Sequence, residues 1–302
     1  VKKRASYNGV SRGREAFHFF LAAIPVIGFM IFGLVPLVLS LALSFTDVKM
    51  SILEDFTFVG VKNFITLAKN VYFKKSIVNT LYYTLNVPLS IALGLFIAYL
   101  VNKAMKGKYF FRSVFFIPYV CSTVSVAVAW KIMYDKEYGI FNTLLSSFGV
   151  AQIGWISTPQ TFMLSTIIMS VWSGTGFCVI LYQAALANVN TAYYESAEID
   201  GANQFQAFSM LILPLIVPAI FMVGLLSFVG IWNEYIMSIT FIKDQAKYTL
   251  SVGINELMND ATAGETLKFA PLIIAMLPIL IVYAIFQKPL QDGLSSSDGV
   301  KG

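Results

Sequence analysis

The chain has 302 residues, of which 57% are hydrophobic and 12% charged, and its mean hydropathy is +0.73; soluble domains carry about 25% charge. One water-soluble core cannot hide that much apolar surface, whereas uncharged stretches long enough to cross roughly 30 Å of hydrocarbon recur along the chain. A disordered protein, a cytosolic enzyme and a disulfide-stapled secreted module are excluded. The net charge of +5 reads as membrane topology and not nucleic-acid binding, because the lysines fall in short segments between apolar runs.

Lys2, Lys3, Arg4, Arg12 and Arg14 precede an apolar run too long for the core of a cleaved leader. A retained first span is therefore expected at about 17–45, interrupted by Pro25 and Pro36. The second is expected at about 76–101, with Pro88 near its middle, where neighbouring helices can re-satisfy freed backbone groups. The third falls at about 113–133, the fourth at about 161–187, the fifth at about 211–241 and the sixth at about 269–287. Between the third and fourth, Asp135, Lys136 and Glu137 mark a turn, Ile140 to Phe148 an amphipathic interfacial helix, and Trp155 an aromatic anchor. The expected fold is all-α, a polytopic membrane protein of six transmembrane helices. Residues 1–16 and 288–302 form tails, 17–287 the membrane domain, and Ser295 to Gly302 a Ser/Gly-rich end.

Cys121 and Cys178 lie inside apolar runs with no CxxC or Cys/His spacing, and His18 is the single histidine. Neither a disulfide framework nor a side-chain metal site is expected. The segment 102–112 holds Lys103, Lys106, Lys108 and Arg112 with no acid, while 46–75 dilutes its lysines with Asp47, Glu54 and Asp55. That density places both termini in the cytoplasm.

The segment joining the fourth and fifth spans runs from Asn190 through Glu195-Ser196-Ala197, Glu198, Asp200 and Gly201 to Leu211-Ile212-Leu213-Pro214. Asn190 or Thr191 can cap a short helix that Gly201 ends in a left-handed turn. A second short helix starts near Gln204, and Pro214 sits just inside the next span. The loop is thus expected to lie on the cytoplasmic surface at 190–210, with three acids, no Lys or Arg, and small residues that let another surface approach.

Glu195-Ser196-Ala197, three residues, Gly201, nine residues, then Leu211-Ile212-Leu213-Pro214 resembles the EAA motif of membrane subunits in bacterial ATP-binding-cassette importers. Ser196 and Leu211 replace the motif's Ala and Ile, and the spacing is intact. Tyr194, Ile199-Asp200-Gly201-Ala202, Phe58-Val59-Gly60-Val61-Lys62-Asn63-Phe64 and Trp232-Asn233-Glu234-Tyr235 are similar to the carbohydrate-importer branch. Such a likeness implies a multi-pass permease subunit of the bacterial inner membrane whose coupling loop docks on an ATPase subunit through Tyr194, Glu195, Ser196, Ala197, Glu198, Asp200, Gly201, Leu213 and Pro214. It implies a second homologous permease subunit, two ATPase subunits using ATP and Mg, an extracytoplasmic solute-binding protein and a sugar substrate. No cofactor is expected on this chain, no nucleic acid is expected as a partner, and no catalytic role is expected. The first outer loop looks like the first membrane subunit of maltose-type systems, and Phe286-Gln287-Lys288 to Gly293-Leu294 like the second, so the half stays open.

A short acidic loop helix is common; the Gly and Leu-x-Pro spacing between two spans makes this one specific. The sequence has no G-x-x-x-x-G-K-[ST] with which to cradle ATP phosphates. Polar groups in hydrocarbon tend to face a bundle interior or a water path, which makes Asn86, Trp172, Ser173, Asn233, Glu234 and Tyr235 candidates for the substrate path. Gly174 and Gly176 suit close helix packing. Weighed against sugar import are import of glycerol phosphate or amino acids, an ion-coupled secondary transporter, which lacks support from inverted repeats or mid-span charges, and a membrane enzyme.

Overall fold

A computed structural model describes residues 12–49, 52–102, 107–242, 244–260 and 265–298. Val1 to Ser11, Lys103, Lys106 and Gly299 to Gly302, which the tail and orientation readings used, lie outside the described residues. Contacts divide the chain into two units, Val1–Leu67 with Asp260–Ile274, and Ala68–Asn259 with Ala275–Gly302.

In the first unit, α1 (Arg12–Phe29) and α2 (Val35–Leu43) are joined by a π-helical turn, Met30–Leu34, in which the Val35 amide donates to the Met30 carbonyl. Pro36 explains the wider turn: it has no N–H for the Phe32 carbonyl, and its ring crowds that oxygen. Beyond Leu43 the chain departs from the all-helical expectation in one place. Strands β1 (Thr46–Lys49) and β2 (Ile52–Phe58) pair antiparallel, Thr46 opposite Phe58 and Asp47 opposite Thr57. Helix α3 (Lys62–Lys69) follows. The motif Phe58 to Phe64 now has a physical reason. Gly60 turns the chain at φ +56°, the Asn63 side-chain Nδ2 donates to the Ser44 and Thr46 carbonyls at 3.0 and 2.9 Å, and the Phe64 ring lies 5.2 Å from Phe45.

The second unit is built on α4 (Val71–Tyr83), α5 (Asn86–Asn102), α6 (Lys108–Val120), α7 (Thr123–Met133), α8 (Ile140–Ser147) and α9 (Pro159–Ala187). Then come α10 (Ala192–Ile199), α11 (Gln204–Gln206), a second π-helical turn at Ala207–Ile212, α12 (Leu213–Trp232), α13 (Ile236–Phe241) and α14 (Leu250–Asn259). Helix α15 (Phe269–Asp298) closes the described chain, continuing ten residues past Lys288 and through the serines expected as a tail.

Among the described residues five single helical stretches are long and apolar enough to cross a membrane, Phe17–Leu43, Val71–Asn102, Pro159–Ala187, Gln204–Trp232 and Phe269–Lys288, and a bent pair makes a sixth if it is one span. The expected third span is present as a bent pair: α6 and α7 together are long and apolar enough to cross, and they meet at 96°, with Cys121 and Ser122 extended at ψ 146° and 128°. The second begins at Val71, earlier than expected, and breaks at Thr84 and Leu85. Pro88 cannot donate to the Thr84 carbonyl, so the Val87 amide does at 2.9 Å, one residue short of helical register. The fifth ends at Trp232 and not at 241: the Asn233 backbone amide still donates to the Val229 carbonyl at 3.1 Å, but the Glu234 amide donates to Ile231, three residues back, and the helical register is lost there.

Helix α9, about 43 Å long at 1.5 Å per residue, runs through two cores. Its first half places Phe162 and Met169 against Val126 and Trp130 of α7 and Met237 and Phe241 of α13. Its second half places Cys178, Tyr182 and Leu186 against Ala98 of α5 and Phe208, Ile212, Ile216 and Val223 at and beyond the π turn. Trp155 is tied into the chain's own packing. Its indole donates to the Asn142 side-chain oxygen Oδ1 at 3.1 Å and its ring packs on Tyr134 and Phe141. Asn142, 1% exposed, also donates to the Lys136 and Ile153 carbonyls and accepts from the Ile153 amide, which closes the loop onto the first core.

Candidate functional site

The loop between α9 and α12 is built from local signals. The Asn190 carboxamide oxygen accepts from the Ala192 amide at 2.9 Å, and Glu195 sits in the first turn of α10, where a carboxylate meets the positive end of the helix dipole. At the other end Gly201 adopts φ +79°. Its amide donates to the Glu198 carbonyl at 3.1 Å and the Ala202 amide to the Ala197 carbonyl at 2.9 Å, the paired bonds of a Schellman end. Asn203 and Gln206 then satisfy each other's backbone amides reciprocally, both at 2.9 Å, and start α11. The spacing Asn-x-x-Gln before an apolar run was the signal for this capping box.

The loop's base is fixed. Ala197, Ala207, Phe208 and Ile212 are buried, and Tyr194 packs on the second core. Asn102 at the end of α5 donates to the Tyr194 hydroxyl at 3.5 Å, and burial pushes that phenol above its ordinary pKa. The rings of Tyr99 and Phe208 lie 4.5 Å apart. Its outer surface is open: Glu195, Ser196, Glu198, Asp200 and Gly201 are exposed, beside Ile199 at 85% and Phe205 at 68% exposure. Acids interleaved with exposed apolar side chains on a rigid base form a surface suited to another protein.

Leu213 and Pro214 stand where this loop enters α12. The Leu213 amide donates to the Phe208 carbonyl, five residues back. Pro214 has no N–H for Met210, so the turn before it widens as it does before Pro36. The loop and its membrane helix are therefore one continuous element with a π turn at their junction, a feature concentrated at functional sites.

The family of binding-protein-dependent transport system inner membrane components matches residues 90–296, a stretch that includes this loop and its junction. The chain belongs to that family. It is 34% identical over 164 residues to the trehalose/maltose transport system permease protein MalF of Thermococcus litoralis, a match covering 54% of this chain and 56% of the relative. It is 30% identical over 242 residues to the inner membrane ABC transporter permease protein YcjO of Escherichia coli, covering 78% and 82%. With the diacetylchitobiose uptake system permease protein NgcF of Streptomyces coelicolor it shares 31% identity over 213 residues, 66% and 60% of the two chains. The chain thus spans less than two thirds of the length of MalF and NgcF. A chain of a bacterial alginate ABC transporter, crystallised with an alginate pentasaccharide-bound periplasmic protein, superposes with TM-score 0.76 at 23% identity, over 92% of this chain and 96% of that one, and shows the fold.

The residues named for a substrate path fall in two places. Asn86 is 1% exposed. Its side-chain Oδ1 accepts from the Ser90 hydroxyl at 2.7 Å, its Nδ2 has no hydrogen-bond partner among the described residues, and the Ser90 oxygen lies beside Gly174, next to the half-buried Ser173. Trp172, 46% exposed, meets Trp130 edge-on at 5.5 Å. Tyr83, which sequence reading missed, bridges α4 to α9 by donating to Ser170 Oγ at 2.8 Å.

Asn233, Glu234 and Tyr235 instead form the corner between α12 and α13. Glu234 caps α13: its carboxylate accepts from the amides of Met237 and Ser238 and from the Ser238 hydroxyl. Tyr235 donates to Asn255 Oδ1 at 3.2 Å. Trp232 is buried at 3% and donates to the Ala275 carbonyl, so it is not a membrane-belt residue. Glu234→Gln turns an amide toward donors that need an acceptor. It is expected to cost about 1 kcal/mol, as lost caps do, and to lower the thermal unfolding midpoint of the purified protein. An unchanged midpoint would remove the capping role.

Proposed function

We propose that this chain is one of two homologous permease subunits of an ATP-binding-cassette importer, and that together they form the path for a sugar or oligosaccharide delivered by an extracytoplasmic binding protein. The observation that carries it is the loop at 190–210: an acidic and apolar surface, held on a base tied to α5, α9 and α12, and continuous with a membrane helix. On this reading both termini and the loop are cytoplasmic. Two ATPase subunits, which use the ATP and Mg, receive Tyr194, Glu195, Ser196, Ala197, Glu198, Asp200 and Gly201, while Leu213 and Pro214 pass the resulting motion into α12.

Support for a sugar comes from the relatives named for trehalose/maltose and diacetylchitobiose. The chemistry of Asn86, Trp172, Ser173, Asn233, Glu234 and Tyr235 agrees, since amides, hydroxyls and carboxylates bind sugar hydroxyls and aromatic rings cover their apolar faces. The chain does no bond chemistry of its own in this scheme. Alternating access is imposed by ATP binding and hydrolysis in the partners, which must favour one arrangement of the spans over the other.

Single cysteines at 195 to 199, in the complex isolated from native membranes, are expected to cross-link to an ATPase subunit. Labelling of these positions only from outside the cell would invert the topology, and the coupling role would go with it.

A further inference from the structure

The hairpin segment after the first span carries an apolar surface that the loop at 190–210 does not use. We propose that α3 is an interfacial lipid anchor, with Val61 and Ile65 set into the membrane surface at the Leu43 end of the first span and Lys62 and Lys69 at the headgroups. The proposal needs only that the first span crosses a bilayer, and it stands whether or not the coupling reading does.

The position of α3 relative to the membrane follows from its ties. The apolar window of Phe17–Leu43 has none of its residues buried within the chain, so that helix offers its surface to whatever surrounds it in the membrane. The span ends at Leu43. One and three residues later the Ser44 and Thr46 carbonyls accept both hydrogens of the Asn63 amide, at 3.0 and 2.9 Å. The Val59 amide donates to the Phe45 carbonyl at 2.9 Å, and the Phe45 and Phe64 rings are 5.2 Å apart. The first turn of α3 is thereby held within a side-chain length of the point where the chain leaves the hydrocarbon.

The pattern of α3 fits that place. At about 100° per residue, Leu67, Phe64, Ala68, Val61 and Ile65 fall in order around one apolar arc. Leu67 at one edge of it is fully buried, whereas Val61 and Ile65 at the other are 57% and 51% exposed. Phe58, three residues before Val61, is 80% exposed. Lys62 and Lys69 both border the Ile65 edge, and Thr66 and Asn63 complete the polar side. An apolar stripe flanked by lysines whose stems lie along apolar surface is the arrangement of helices that rest in a headgroup layer.

A single fluorophore reads the environment directly. Cys121 is exposed and Cys178 buried, so Cys121→Ser gives a background for Ile65→Cys and Thr66→Cys, both at exposed positions where a label does not disturb packing. The full chain, labelled with an NBD dye and reconstituted in phosphatidylethanolamine and phosphatidylglycerol vesicles, is titrated with nitroxide lipid and with iodide. Nitroxide lipid is expected to quench the label at 65 about twofold or more above the label at 66, and iodide the reverse. Equal quenching of the two by lipid overturns the proposal. So does shielding at 65 that appears only when a soluble binding protein or a second membrane subunit is added, since that identifies a protein docking face.

Discussion

Gly201→Asp should abolish or sharply reduce uptake while the protein still reaches the membrane. The φ of +79° is open to glycine and disfavoured for residues with a Cβ, at a cost of up to roughly 1–2 kcal/mol that the short polar side chains of Asp and Asn lessen, and that cost falls on the bonds that end α10. Nothing lies within 4 Å of where a Cβ would stand, so the substitution meets no clash inside the chain and folding of the membrane domain is spared. A loss of 1–2 kcal/mol is a factor of about 5–30 in the population of the correct loop geometry. Asp would also add a fourth negative side chain to the exposed surface of Glu195, Glu198 and Asp200. Two variants separate the two causes. Asn tolerates the left-handed region, so Gly201→Asn should retain more activity than Gly201→Ala if conformation dominates. If the partner surface dominates, Gly201→Ala should be the milder of the two. The measurement is uptake together with ATPase activity in the reconstituted complex. Normal uptake by Gly201→Asp at equal expression would show that this loop does not transmit the motion.

The residues of this loop were legible in the sequence because its structure is decided within a few positions of each signal. Asn190, Gly201, Asn203 and Gln206 each act on backbone groups no more than five residues away. Hydropathy also located the spans, since it reports only that a run is apolar. It could not see where a run turns. The corner at Asn233 to Tyr235 depends on the register lost at the Glu234 amide and on the Glu234 carboxylate capping α13, and Asn233 and Glu234 read equally well as polar groups lining a path. The 96° bend at Cys121 and Ser122 sits in an apolar stretch with Pro118 as its only punctuation. The tie that holds Trp155 was hidden for a related reason. Its partner, Asn142, lies thirteen residues away, and an aromatic residue beside an amphipathic helix carries the same local pattern whether it faces lipid or a buried amide.

Close helix packing supplies the second large effect. Gly176 lets the backbone of α6 lie directly on α9: a Cβ there would stand 2.2 Å from the Phe115 carbonyl oxygen and 3.2 Å from its carbon. The obstacle is main chain, which no rotamer change can move aside, so Gly176→Ala must displace α6 or lose the contact. Gly174, two residues earlier on the same helix, is the control. A Cβ there meets only Ser90 Oγ at 3.6 Å, an ordinary contact. Gly176→Ala is therefore expected to destabilise the protein by about 1–3 kcal/mol, as overpacking does, while Gly174→Ala stays near wild type. The α5 contact offers an internal rescue. A Cβ on Gly94 would stand 2.4 Å from the Cβ of Cys178, while the Cys178 backbone atoms lie at an acceptable 3.5 Å. Gly94→Ala should be destabilising, and Cys178→Gly added to it should recover part of the loss, whereas Cys178→Ala, which keeps the offending carbon, should recover little. The readout is the thermal midpoint of the purified full chain. Equal midpoints for Gly176→Ala and Gly174→Ala, or rescue by Cys178→Ala as complete as by Cys178→Gly, would mean that α5 and α6 do not approach α9 this closely. Small residues at such contacts are what membrane helices use in place of a hydrophobic driving force.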